Sequence, residues 1–309
     1  MSHPLPLLLV GHGTRSPDGA AAFVRLVDRV SARRTAAVTD GGFIELASPA
    51  IAEAVTRMTA AAPGREIVAL PVVLTAAGHG KGDIPAALAR ERLRHPGLRL
   101  RYGRPLGPHP VLQELLAERI DAALAGAPRA GTHVVLAGRG STDPDANAEV
   151  AKVTRLLWEG RGFGDVSLSF ISLAEPGVPV ALDRARRLGA RRVVVAPYFL
   201  FPGVLPDRVA AQSQDFAARH RGFDVRAAEV IGDCDRLADL IVERYAEAVH
   251  GDIRMNCDTC AYRVALPGFG AKVGRPQTPH HHPDDPAAGG HHHHLDQFTE
   301  VPVPADTQP

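Results

Sequence analysis

The sequence predicts an α/β protein of two homologous domains. Each is a four-stranded parallel sheet flanked by helices, with a cleft between the domains. Three observations predict this. From residue 1 to about 250, short apolar runs alternate with longer amphipathic stretches. Several runs are nearly continuous, such as Leu7-Leu8-Leu9-Val10 and Val193-Val194-Val195-Ala196, as in strands buried on both faces of a parallel sheet. The chain also repeats itself at a fixed spacing.

The strands read in order as Leu5–Val10, Gly42–Leu46, Glu66–Val73 and Leu98–Tyr102, then His133–Ala137, Val166–Ile171, Arg191–Tyr198 and Phe223–Val230. The stretches between them carry helical spacing. Phe23, Leu26, Val27 and Val30 share one face, while Arg25, Asp28 and Arg29 fall elsewhere. Parallel strands joined by helices require right-handed crossovers and a layered α/β architecture.

The repeat is legible residue by residue. Gly11-His12-Gly13-Thr14-Arg15-Ser16-Pro17-Asp18 matches Gly138-Arg139-Gly140-Ser141-Thr142-Asp143-Pro144-Asp145, 127 residues later. At the same offset, Phe43-Ile44-Glu45-Leu46-Ala47-Ser48-Pro49 matches Phe170-Ile171-Ser172-Leu173-Ala174-Glu175-Pro176. Leu70-Pro71-Val72-Val73-Leu74 matches Ala196-Pro197-Tyr198-Phe199-Leu200. The expected division is 1–128, 129–250 and a flexible tail over 251–309. The period is too long for a solenoid.

Composition narrows the function. The chain has 309 residues, 35 Lys+Arg against 34 Asp+Glu, and a net charge of +1. That balance argues against a nucleic-acid partner and against a polybasic membrane surface. No apolar run nears the roughly 20 residues of a transmembrane helix. Three cysteines make no paired disulfide framework and predict a reducing compartment. Leu5–Val10 is too short for a signal-peptide core, so the expected location is the cytoplasm.

In an open parallel sheet, ligands bind beyond the carboxyl ends of the strands. In the first half, His12 follows the first strand, Glu45 ends the second and His79 lies in the loop after the third. The matching positions of the second half are Arg139, Ser172 and Val204. Two imidazoles and a carboxylate suit a divalent first-row metal, and the copy has lost all three. Gly11-His12-Gly13 is not a dinucleotide loop, because the sixth position of the Gly-x-Gly-x-x-Gly pattern is Ser16. No Gly-Lys-Ser or Gly-Lys-Thr occurs, which excludes a P-loop.

Three segments together resemble the sirohydrochlorin chelatases: Val10-Gly11-His12-Gly13-Thr14-Arg15, Gly42-Phe43-Ile44-Glu45-Leu46, and Ala77-Gly78-His79 followed by Asp83-Ile84-Pro85. These are the class II, cofactor-independent chelatases, including the long cobalt type and its iron-inserting relatives. The resemblance covers about residues 5–260. It implies a lyase that inserts Co²⁺ or Fe²⁺ into sirohydrochlorin, in cobalamin or sirohaem biosynthesis. It also implies that His12 and His79 bind the metal and that Glu45 is their acidic partner. Sirohydrochlorin bears eight carboxylates, and Arg15, Lys81 and Arg139 lie in the strand-end loops where they would meet it. His109, in Gly107-Pro108-His109-Pro110, reads as a helix cap. Internal duplication makes a monomer sufficient for a two-lobed site. The alternative from another class is a metal-binding or metal-delivery protein that holds no tetrapyrrole.

The tail carries separate signals. Met255-Asn256-Cys257-Asp258-Thr259-Cys260 contains Cys-x-x-Cys, the spacing of metal or redox thiols. It is similar to a motif of some long cobaltochelatases that is associated with an iron–sulfur centre. A cluster takes four thiolates and Cys234 is the one further cysteine, so a cluster needs a second chain or a non-cysteine ligand. The alternatives are a zinc site, a reducible dithiol or a merely structural pair. His280–His282 and His291–His294 suit loose storage of Co²⁺, Ni²⁺ or Zn²⁺.

Overall fold

The computed structural model describes residues 4–251 and 270–272. Cys257, Cys260 and the His runs of the expected tail lie outside the described residues. Strands and helices alternate: β1 (Leu7–Gly11), α1 (Pro17–Arg33), β2 (Thr39–Phe43), α2 (Ile51–Ala61), β3 (Ile67–Pro71), α3 (Ile84–Arg94), β4 (Leu100–Tyr102) and α4 (Pro110–Leu124). The second half repeats the order with β5 (Thr132–Gly138), α5 (Pro144–Trp158), β6 (Asp165–Phe170), α6 (Val178–Arg187), β7 (Arg192–Pro197), α7 (Val204–Arg219), β8 (Asp224–Ala227) and α8 (Asp235–His250). The sheets run β2-β1-β3-β4 and β6-β5-β7-β8, with every pairing parallel. Among the described residues, no helix is long and apolar enough to cross a membrane.

Strand alternation sets the layers. Leu7, Leu9, Val68 and Leu70 enter one core together with Val134, Leu136, Val194 and Ala196 of the other sheet. The opposite face of the first sheet, with Leu8, Val10, Ile67 and Ala69, packs under α2 and α3. Val135, Ala137, Val193 and Val195 do the same under α6 and α7. The two sheets therefore share their inner core, and each has its own outer one.

The last helix of each half is exchanged. α4 packs on β7 and β8, whereas α8 packs on α1 and β3. Polar contacts fix the exchange. Arg101 in β4 donates to the carbonyls of Ala248 and Val249 at the end of α8, at 3.1 and 2.9 Å, where a helix terminus lacks intrahelical donors. Buried Arg244 in α8 donates to the carbonyls of Pro105 and Leu106.

One strand departs from expectation. Gly42–Leu46 is predicted, and β2 is Thr39–Phe43. Apolarity does not select Thr-Asp-Gly-Gly. Pairing with β1 and close approach of helices do. A Cβ at Gly41 would sit 2.6 Å from Val27, and one at Gly42 would sit 2.9 Å from the Cα of Ile51. Glu45 therefore lies in the turn beyond β2 rather than at its end.

Candidate metal and tetrapyrrole site

The strands of the first sheet are parallel, so the residues following β1, β2 and β3 gather at one edge. The turn after β1 is built around Gly13, whose φ is +107°. A Cβ there would lie 1.7 Å from the carbonyl oxygen of Glu45, so only glycine allows this approach. The Glu45 amide donates to the His12 carbonyl at 3.2 Å. The Ala47 amide then returns to the Glu45 carbonyl at 2.8 Å, closing a three-residue turn about Leu46 at φ +62°. Beyond the turn, Ser16 caps α1 by accepting from the Gly19 amide, and Pro17 follows in the first turn.

This backbone brings His12 Nε2 to 3.6 Å from Glu45 Oε1. Their side chains are 23% and 44% exposed, open enough for an exogenous ion to reach. His12 Nδ1 lies 3.2 Å from the Gly13 carbonyl. A carbonyl only accepts, so this contact places the hydrogen on Nδ1 and leaves the lone pair on Nε2, the nitrogen facing Glu45. His79 opens a π-helical turn, His79–Asp83, in the loop after β3. Such turns recur at functional sites. Among the described side chains, no three His, Cys, Asp or Glu form a metal-holding group. His12 and Glu45 are the pair brought together.

The cations fare differently. Arg139, the counterpart of His12, is partly buried. Burial pulls its guanidinium below the ordinary value, and the charge of Glu45 acts in the opposite direction. The second half thus delivers a cation to the electrostatic field of the first half's carboxylate. Arg15 is exposed in the turn before α1. Lys81 corrects the sequence reading, which has it meeting substrate carboxylates. Its side chain is 5% exposed, and its ammonium bonds Asp143 and Asp145 of the second half, at 2.9 and 2.8 Å. Burial works against that charge, and the hydrogen bonds to Asp145 and Asp143 outweigh it, so its pKa is raised. His109 caps α4 by accepting from the Val111 amide, and its other nitrogen meets Glu243 at 3.2 Å.

Sequence reasoning missed the acidic side of this arrangement. Asp143 is the N-cap of α5, and that role alone is what Asp143-Pro144-Asp145 suggests. Glu149 carried no signal, being one polar residue within an amphipathic helix. In the structure its Oε2 accepts from the Ala76 amide at 2.7 Å. Burial pushes its carboxyl up to about 7, against the lowering effects of the Ala76 bond and Lys81.

Comparison with known proteins agrees with this architecture. The family model described as CbiX matches residues 6–123 and again residues 133–248. A sirohydrochlorin cobaltochelatase of Priestia megaterium is 34% identical over 264 residues, covering 84% of this chain and 85% of the relative. A sirohydrochlorin ferrochelatase of the same organism is 30% identical over 236 residues, covering 76% and 87%. Among solved structures, SirB from Bacillus subtilis with Fe³⁺ superposes with a TM-score of 0.71 at 25% identity, over 81% of this chain and all of that one. The fold is that of the chelatases, and the family model matches it twice along the chain. The chain belongs to the CbiX family.

Proposed function

We propose that this chain inserts a divalent metal ion, Co²⁺ or Fe²⁺, into sirohydrochlorin. The observation that carries the reading is the His12–Glu45 apposition of 3.6 Å at the strand edge, with Arg139 in the field of the same carboxylate. The relatives named for cobalt and iron insertion into this tetrapyrrole support the substrate.

Insertion displaces two pyrrole N–H protons, so metal delivery and proton removal must occur together. One imidazole nitrogen cannot hold the metal and take a proton at once. We assign metal holding to His12, through Nε2, and to His79. Glu45 accepts protons from the ring. Arg139 and Arg15 meet the peripheral carboxylates, for which the guanidinium fork is suited. Lys81 is left out of substrate binding, because its charge is spent on Asp143 and Asp145. We read the chain as two lobes divided near residue 128, so that one chain supplies both sides of the site. The three cysteines of the chain fall short of the four thiolates a cluster takes.

The test is anaerobic absorbance of sirohydrochlorin with purified protein, first without metal and then with Co²⁺ or Fe²⁺. The proposal expects a band shift on binding alone and conversion faster than the protein-free rate once metal is added. A metal-delivery protein gives no shift without metal and no acceleration, and that result would overturn the proposal.

A further inference from the structure

We propose that the second half serves the reaction by holding the loop that carries His79, with Glu149 as its positioning residue. The inference rests on the reading of His79 as a metal-holding residue, and deepens it. Side chains tie down the loop between β3 and α3 at Ala76, Gly80 and Lys81. The Ala76 amide donates to Glu149 Oε2 at 2.7 Å. The Gly80 carbonyl accepts from the Tyr102 hydroxyl at 2.8 Å. Lys81 Nζ donates to Asp143 and Asp145 at 2.9 and 2.8 Å. Two of these three anchors come from α5 and its cap, in the half that carries neither His12 nor His79. They bracket His79 on both sides.

The anchors are built to be stiff. Asp143, Asp145 and Glu149 are 2%, 5% and 7% exposed, so water competes poorly for their oxygens and each lost partner leaves a buried charge uncompensated. The equivalent contact in the other direction uses different means. The loop after β7 meets the start of α1 by backbone approach, where a Cβ at Gly19 would lie 2.4 Å from the Pro202 carbonyl oxygen. The positions of α1 that correspond to Asp143, Asp145 and Glu149 are Ser16, Asp18 and Ala22, and Asp18 is exposed where Asp145 is buried. The buried acids Asp143, Asp145 and Glu149 thus face the loop that carries His79. Partners that orient a metal ligand set its affinity, and their removal typically costs about 10- to 100-fold.

The experiment uses the full chain and Co²⁺ alone, followed by its visible absorption, with His12→Ala titrated alongside to subtract binding by the His-rich runs. Glu149→Leu is expected to raise the Co²⁺ dissociation constant about tenfold or more. In turnover it is expected to raise KM for Co²⁺ while KM for sirohydrochlorin stays put. Glu149→Gln keeps an oxygen for the Ala76 amide and is expected to bind Co²⁺ near the wild-type level. His79→Ala separates the two readings. If it binds Co²⁺ as wild type does, the site assignment falls and this inference with it. If it weakens binding while Glu149→Leu does not, the positioning role alone is overturned. Hydrogen exchange on the unmodified protein guards against a Glu149→Leu that fails to fold. The Ala76 amide is expected to exchange as slowly as the core of α5, and exchange at open-loop rates would overturn the clamp.

Discussion

The turn after β1 and the turn after β5 share one backbone and carry different chemistry. Gly13 and Gly140 have φ of +107° and +85°, and a Cβ on either would lie 1.7 or 1.8 Å from the carbonyl oxygen of Glu45 or Ser172. Leu46 and Leu173 sit at φ +62° and +58°, each spanned by a short return hydrogen bond of 2.8 or 2.7 Å. On this common frame the first half places His12 and Glu45, and the second places Arg139 and Ser172. Steric necessity holds the backbone the same in both copies. Nothing steric holds the side chains, so one copy keeps the imidazole and carboxylate while the other supplies a cation and an acidic clamp. A duplicated fold can in this way divide labour without altering its scaffold.

Breaking the chemical asymmetry has the largest expected effect. His12→Ala should lower turnover by about 100-fold or more, as loss of a metal-orienting or proton-handling group does, and a steady-state assay at saturating Co²⁺ checks it. Glu45→Gln should cost turnover while Co²⁺ binding persists, and full turnover in that variant would rule out proton transfer by Glu45. The structural symmetry is tested next. Gly13→Ala and Gly140→Ala should both destabilise by about 3 kcal/mol or more, because each drives a methyl into a carbonyl oxygen at positive φ. Thermal unfolding midpoints that fall together sharpen the comparison, and a fall in only one breaks it.

Glu149 gives a pH signature to the asymmetric clamp. Its carboxyl is raised from 4.5 to about 7 in the folded protein. The folded state therefore binds more protons than the unfolded state between those values, and stability declines as pH rises through that window. Glu149→Gln removes the buried charge. Its unfolding midpoint should fall less from pH 5 to pH 8, with a gain over wild type at pH 8 of at most about 3 kcal/mol. The smallest effect belongs to exposed Arg15. Arg15→Ala should raise KM for sirohydrochlorin by only about two- to fivefold, since exposed ion pairs are weak, and leave kcat alone.

Much of this was legible in the sequence, for identifiable reasons. The apolar runs marked the strands because a strand buried on both faces admits little else. The repeat exposed the strand-end positions, and the loss of His12, Glu45 and His79 equivalents from the copy singled them out. β2 was misplaced because Gly41 and Gly42 are selected by the closeness of α1 and α2, which lie far off in the chain or on the other side of a turn. The helix exchange was invisible, since α4 and α8 repeat with the same period whichever sheet they cover. Lys81 read as a substrate cation because its partners, Asp143 and Asp145, stand more than sixty residues away. The loop after β3 could not reveal a clamp whose other jaw belongs to the second half.

The most direct test of divided labour gives each half the other's residue. His12→Arg and Arg139→His are compared for Co²⁺ insertion at saturating sirohydrochlorin, with substrate binding followed separately by the band shift. The account predicts that His12→Arg loses insertion while still binding sirohydrochlorin, and that Arg139→His still inserts metal but binds the tetrapyrrole more weakly. Insertion retained by His12→Arg, or lost as fully in Arg139→His at saturation, would contradict it.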